Sequence, residues 1–283
     1  MATDGEQFRA ASRETWDAAA PGWRRRSAQM RAVSAPVSQL MVDAIGPQPG
    51  HRVLDLAAGM GETGFLAAEL IAPGGVLICS DQSEVMLEGA RARAAELGLE
   101  NVEFKPIDAE WIDLPLADVD AVLCRWGLML MADPGAAMRE CRRVLKPGGR
   151  FALAVWTARE RNPWVTTIAD AIAAVAEVPP VDPAAPGMFA LGDPARLEGM
   201  LEEAGFAEIE IEPLDFNFRY DDAEHYLDIQ LDLSSQAAKI FGTLDDERVA
   251  TLERRVADTL APFATEDGSV VIPARTLVAA ATA

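Results

Sequence analysis

The chain has 283 residues, half of them hydrophobic, with 45 acidic residues against 25 basic ones and a formal net charge of −20. The apolar content excludes disorder as the main state, and the length suits one large domain or one domain with a cap. The charge speaks against a partner held mainly through backbone phosphates, so no nucleic acid is expected; the one dense basic run, Arg24, Arg25, Arg26 and Arg31, reads as a solvated helix face.

Residues 1–45 read as helical and lid-like, with Trp16, Trp23, Met30, Val37 and Met41 at helical spacing and an interruption expected at Pro21-Gly22. The opening stretch is polar and mixed in charge, without the apolar core of a secretory signal. No stretch reaches about 18 uninterrupted apolar residues, so no membrane span is expected. Three widely spaced cysteines (Cys79, Cys124, Cys141) and two histidines (His51, His225) suggest neither a disulfide framework nor a metal site, and a reducing, cytoplasmic setting is the expectation.

Residues 46–156 alternate apolar strands with helices. HRVLDLAAG predicts a strand running into a glycine turn, GETGFLAAELI a helix ended by Pro73-Gly74-Gly75, and GVLICSD a second buried strand. SEVMLEGARARAAELG predicts a helix with Ser83 as its N-cap and Gly98 just past its end. NVEFKPID and VDAVLCRWG are the third and fourth strands. DPGAAMRECRRVLKPGG is a helix capped by Asp133 with Pro134 at its first position, and RFALAVW is a fifth strand.

Residues 157–192 differ. The helix NPWVTTIADAIAAVAE is followed by the proline-rich VPPVDPAAPGMFALGD, which reads as a substrate-side insertion. The C-terminal part, 193–283, resumes with helix DPARLEGMLEEAG and strand FAEIEIEPLDFNF. It then carries a helical cap at 221–262, read as two helices, and ends on the strand SVVIPARTLVAAA. Apolar strands separated by helices form a parallel sheet covered on both faces. The fold class expected is therefore α/β: a doubly wound, seven-stranded, mostly parallel Rossmann-like sheet with an antiparallel final strand and a helical cap.

The informative stretch is VLDLAAGMGETG, residues 53–64. A strand feeds a turn holding Gly59, Gly61 and Gly64, where a ligand can lie against bare backbone. Asp55 sits in the strand end, and a second acid, Asp81, ends the next strand. Ligands of open α/β sheets lie across the carboxyl ends of the strands, which places Asp81 where the two hydroxyls of a ribose would be. A carboxylate in the first strand would repel a bound pyrophosphate. An acidic floor suits a ligand with a cationic amine and a cationic sulfonium.

Together with SDQSEVM, PIDAEWIDLP, DAVLCRWGLMLMADP and RVLKPGGRFALAVW, in that order, this stretch resembles the class I S-adenosylmethionine-dependent methyltransferases. The likeness is to the ubiquinone/menaquinone-biosynthesis type (methyltransferase type 11), over residues 50–156 and more loosely 193–218. The first glycine of the usual D-x-G-x-G-x-G pattern is taken to be replaced by Ala58.

The resemblance implies that Asp55 and the backbone of Ala57, Ala58, Gly59, Met60 and Gly61, with Gly64 behind them, hold the methionine end of S-adenosylmethionine. It implies that Asp81 holds the ribose, that Gln82 and Met86 flank the adenine, and that Asp108 accepts from the adenine amino group with Ala109 and Glu110 beside it. Arg125 and Trp126 would line the junction with the acceptor, and Trp16 and Trp23 a lid. Met129, Met188 and Phe189 complete the expected acceptor side. Packing is the competing role for Trp16, Trp23 and Met129, and capping the competing role for Asp108.

The activity so implied is in-line methyl transfer to a small, largely apolar acceptor, of the quinol, phenol or polyketide-like kind met in secondary metabolism, leaving S-adenosylhomocysteine. The only candidate base is His225, on a predicted cap helix, against a structural role for it; no metal is expected. The alternatives are an NAD(P)-dependent oxidoreductase on the same fold and a protein that binds the cofactor without catalysis. The oligomeric state is open, with a homodimer as one option.

Overall fold

The structure is a computed structural model and describes residues 4–178 and 185–283; residues 179–184 of the proline-rich segment lie outside the described residues. The first helix, α1 (Asp4–Ile45), is 42 residues long and runs unbroken through Pro21 and Pro36. The chain then alternates: β1 (Arg52–Leu56), α2 (Glu62–Leu70), β2 (Val76–Asp81), α3 (Glu84–Leu97), β3 (Val102–Pro106), β4 (Val119–Arg125), α4 (Pro134–Val144) and β5 (Leu145–Trp156). After α5 (Pro163–Val175) and α6 (Pro194–Glu203) come β6 (Ala207–Tyr220), α7 (Ala223–Leu233), α8 (Ser235–Phe241), α9 (Asp246–Leu260) and β7 (Val270–Thr282).

The seven strands form one sheet in the order β3-β2-β1-β4-β5-β7-β6. β1 pairs in parallel with β2 and β4, with Asp55 opposite Cys79 on one side and Leu123 on the other. β7 runs antiparallel to both β5 and β6, so the final strand alone opposes the rest. The order reverses at β1, which leaves a crevice outside the carboxyl ends of β1 and β4. Val53, Leu54, Leu77, Ile78, Val122 and Leu123 are fully buried between the helical layers, as strands apolar on both faces require.

The local signals of the sequence are met in α3, where the Ser83 hydroxyl accepts from the Met86 N–H at 3.1 Å and Gly98 closes the helix at φ +68°. Asp133 caps α4 through the Ala136 N–H at 2.8 Å. Three expectations are corrected. The interruption at Pro21-Gly22 does not occur, because that segment is docked on α7: the Trp23 indole N–H donates to the Leu233 carbonyl at 3.1 Å, and Arg25 and Arg26 both pair with Asp232. Gly22 lies so close to α7 that a Cβ there would stand 1.8 Å from the Asp232 carbonyl oxygen. The fifth strand starts at Leu145 rather than Arg150; its pairing with β4 jumps from Val119–Leu145 to Ala121–Arg150, so Lys146–Gly149 bulges out while the Lys146 ammonium reaches Asp120 at 2.7 Å. The cap at 221–262 holds three α-helices, not two, because the Ser234 and Asp245 side chains cap new starts at the Ala237 and Arg248 N–H groups.

Candidate active site

The turn after β1 is built on backbone that favours glycine. Gly59 and Gly61 have φ of +56° and +81°, and Ala57 has φ +54°. Ala57 is therefore the alanine standing where the turn would take its first glycine. Ala58 does not have a positive φ, which corrects the expectation. Gly64, in the first turn of α2, donates its N–H to Asp55 Oδ2 at 2.8 Å, and a Cβ there would be 2.6 Å from that oxygen. The helix can approach the strand end this closely only because residue 64 has no side chain.

Asp55 is 1% exposed. Burial raises its pKa from 3.8 to about 7, against the Gly64 N–H and the charge of Arg125, which favour the carboxylate. Asp81, at the end of β2, accepts from the Gly59 N–H through Oδ2 and from the Ser83 N–H through Oδ1, both at 2.9 Å. Burial raises its pKa in spite of these bonds. Glu62 and Arg125 form a buried ion pair at 3.3 Å, and the Arg125 guanidinium sits 4.7 Å from the centre of the Trp126 ring. Burial pushes the pKa of Glu62 up and that of Arg125 down. Glu62 Oε1 and Arg125 Nη1 are buried and have no hydrogen-bond partner among the described residues.

These groups surround a cavity of about 430 Å³. It is lined by Asp55, Ala57, Ala58, Gly59 and Met60 from the first turn and by Asp81, Gln82 and Met86 from the second. Asp108, Ala109 and Glu110 follow β3, and Arg125, Trp126 and Met129 follow β4. Trp16 and Trp23 of α1 and Met188 also line it, whereas Gly61, Gly64 and Phe189 do not. Gly61 and Gly64 shape the turn from behind: Gly61 is the N-cap of α2, and Gly64 touches Asp55. His225 does not line the cavity. It lies in the first turn of α7, its N–H bound to Asp222 and its Nδ1 accepting from the Asp221 N–H at 3.1 Å, so its expected role as a base is not supported by position.

The N-terminal half of α1 crosses one end of the cavity. Arg9 pairs with Glu110 at 2.8 Å and with Asp108 at 3.4 Å, Gln82 donates to the Ser12 hydroxyl at 3.0 Å, and Ser83 to Asp17 at 2.5 Å. The other end is aromatic. Trp126 stacks on Trp156 at 4.3 Å, Trp156 meets Trp164 at 4.9 Å, and Trp164 stacks on Phe218 at 4.3 Å. Trp126 has φ +58°, a costly conformation for a bulky residue, and is held there by its N–H on the Ala154 carbonyl at 2.8 Å and its indole N–H on the Thr276 hydroxyl at 3.0 Å.

Sequence reasoning missed Glu62, Arg9, Trp156, Trp164 and Gln230, which also line the cavity. Glu62 opens a helix directly at the glycine turn, but its burial and its unpaired oxygen emerge only when Arg125, 63 residues on, folds beside it. Trp164 opens the helix predicted from residue 162, with nothing local to distinguish it from a core residue.

The model of the family described as "Methyltransferase domain" matches residues 47–205. The chain is 32% identical over 200 residues to nocamycin O-methyltransferase of Saccharothrix syringae, covering 67% of this chain and 71% of that protein. It is 45% identical over 112 residues to demethylmenaquinone methyltransferase of Clavibacter sepedonicus, covering 39% and 43%. Among solved structures it resembles the YcgJ protein of Bacillus subtilis with a TM-score of 0.58 at 23% identity, over 87% of this chain and 97% of that one, a likeness of fold. With the glycine turn, the two strand-end acids and the sheet order, these matches place the chain in the methyltransferase-domain family: it is a class I S-adenosylmethionine-dependent methyltransferase of the ubiquinone/menaquinone-biosynthesis-like branch.

Proposed function

We propose that the protein transfers the methyl group by in-line displacement to a small, largely apolar acceptor, with S-adenosylmethionine held between the glycine turn and the N-terminal half of α1. The observation that carries the placement is the pair of buried, unpartnered atoms Glu62 Oε1 and Arg125 Nη1, on residues lining a cavity floored by Asp55 and Asp81. Buried polar atoms left unpaired cost about 1–3 kcal/mol each, and a ligand that supplies their partners recovers that energy. An amino-acid zwitterion does so: its carboxylate suits the free Arg125 N–H, and its ammonium suits Glu62 and Asp55. A pyrophosphate would instead meet two carboxylates.

In this reading Asp55, Glu62, Arg125 and the Ala57–Gly61 backbone hold the methionine end. Asp81 accepts from the ribose hydroxyls, Gln82 and Met86 flank the adenine, and Asp108 accepts from the adenine amino group, with Ala109 and Glu110 beside it. The bound sulfonium supplies the activated methyl group. Trp126, Trp156, Met129 and Met188 exclude water from the acceptor end and orient the acceptor in line with that group. The described residues of the N-terminal segment, 4–45, act as a lid, and residues 157–178 and 185–192 with the cap 221–262 close the acceptor end; residues 1–3 and 179–184 lie outside the described residues.

Calorimetric titration with S-adenosylhomocysteine tests the placement. The wild type binds it and Asp81→Ala binds it more weakly by about 1–3 kcal/mol; equal affinity in the two proteins would remove Asp81 from the site.

A further inference from the structure

We infer that the acceptor is a flat enol or phenol acidic enough to enter as its anion, oriented by the indole N–H of Trp164; the inference rests on the methyl-transfer reading above. The Trp164 ring is fixed. It stacks on Phe218 at 4.3 Å and meets Trp156 at 4.9 Å, and its carbonyl accepts from the Tyr226 hydroxyl at 2.9 Å. Yet its Nε1 is buried without a hydrogen-bond partner among the described residues, on a residue that lines the cavity. The indole N–H groups of Trp23 and Trp126 both have partners, in the Leu233 carbonyl and the Thr276 hydroxyl. A rigid, unpaired donor in an apolar wall accounts for itself if a ligand oxygen completes it.

The class of that ligand follows from what the acceptor end lacks. Among the described residues the side chains there include Trp126, Trp156, Trp164, Met129, Met188 and Gln230, none of which takes up a proton near neutral pH. Neither histidine lines the cavity, nor does any described lysine, cysteine or tyrosine. The carboxylates that do line it belong to the cofactor end and are spoken for there. With no base to deprotonate it, a reactive oxygen must arrive deprotonated, so its own acidity selects it.

The indoles stack on one another, so their edges, with Met129, Met131 and Met188, form the apolar wall that a flat ring packs against. Arg125, the buried cation beside Trp126, offsets the charge of the anion, and the sulfonium adds to this only when the methyl donor, rather than S-adenosylhomocysteine, is bound. In the transfer, the anion's oxygen lone pair forms the bond to the methyl carbon and the breaking carbon–sulfur pair stays on sulfur. The acceptor's proton has already passed to water, so no side chain changes protonation. Trp164 N–H donates to the conjugated carbonyl, holding the ring plane without occupying the attacking oxygen.

The test uses the full chain loaded with S-adenosylhomocysteine and two probes: 4-hydroxycoumarin, a flat acidic enol with a conjugated carbonyl, and 4-methoxycoumarin, which cannot ionise. Near pH 7.5 the hydroxy probe binds the wild type at least tenfold more tightly than the methoxy probe, and the gap closes as the pH falls through the probe's own pKa. Trp164→Phe, which keeps a ring for stacking, weakens the hydroxy probe by roughly threefold to tenfold, the loss of one hydrogen bond, and leaves S-adenosylhomocysteine affinity unchanged, while the smaller ring lowers the melting temperature. Retained S-adenosylhomocysteine binding with no preference for the ionised probe, or with no effect of Trp164→Phe on it, overturns the inference and leaves the cofactor site standing. Failure of S-adenosylhomocysteine to bind overturns the cofactor placement and the inference with it.

Discussion

Asp55 is a carboxyl group sealed between a strand end and a helix start, with the Gly64 N–H on one oxygen. Its pKa, raised from 3.8 to about 7 by burial, means that the folded chain prefers it protonated. The stability this gives is complete below the unfolded value, shrinks as the pH rises from about 4, and is gone above about 7, an overall change on the order of 4 kcal/mol. Asp55→Asn keeps the shape and an acceptor oxygen but cannot ionise. The difference in unfolding free energy between wild type and Asp55→Asn should therefore swing against the wild type between about pH 4 and pH 7; parallel curves would place the titration elsewhere. A cationic ammonium beside Asp55 reverses the preference. Hence S-adenosylhomocysteine binding to the wild type should tighten across the same interval, and in Asp55→Asn the curve should flatten. Asp55 and Asp81 could be picked out in the sequence because each stands at the end of an otherwise apolar strand; in the structure each also bonds backbone N–H groups of the turn beside it. Glu62 and Trp164 were not, because what marks them is an atom left without a partner, and that depends on residues far away in the chain.

At the scale of elements, the strands and most helix limits could be read locally, since apolar runs, Ser83, Asp133 and Gly98 act on their own neighbours. The continuity of α1 could not. Pro21 removes an intrahelical N–H and favours a kink, but the bonds that outweigh it come from α7, more than 200 residues on. Gly22 is the contact point: it lets the two backbones meet at a distance no side chain allows. Gly22→Ala is accordingly an overpacking substitution, although alanine is the better helix former by about 1 kcal/mol. The clash is with backbone, which cannot turn aside as a side chain would. Gly22→Ala should destabilise the protein by about 1–3 kcal/mol in denaturant unfolding. A more stable variant would show that α1 and α7 are not pressed together at this point.

For the whole molecule, the docking of α1 on α7 divides that helix in two. Beyond Ile45 it leads into the sheet, and from Gly22 onward it is fixed by Trp23, Arg25 and Arg26. Before Pro21 it is held over the cavity chiefly by Arg9 on Asp108 and Glu110, and by Ser12 and Asp17 on the residues after β2. In the proposed reading the same Asp108 faces the adenine, so cofactor exchange requires the Arg9 contacts to open while the α7 contacts stay shut. Such an ion pair, about a third exposed on the arginine side, is worth about 0.5–1 kcal/mol. Arg9→Ala should therefore speed release of S-adenosylhomocysteine by roughly twofold to fivefold in stopped-flow displacement, with little change in melting temperature. Salt offers an independent check, because it screens a partly exposed pair. Release from the wild type should accelerate as ionic strength rises, and release from Arg9→Ala should not. Equal salt responses in the two proteins would mean that the net charge of −20, acting on the ligand as a whole, governs exchange, and that the N-terminal half of α1 is a fixed wall.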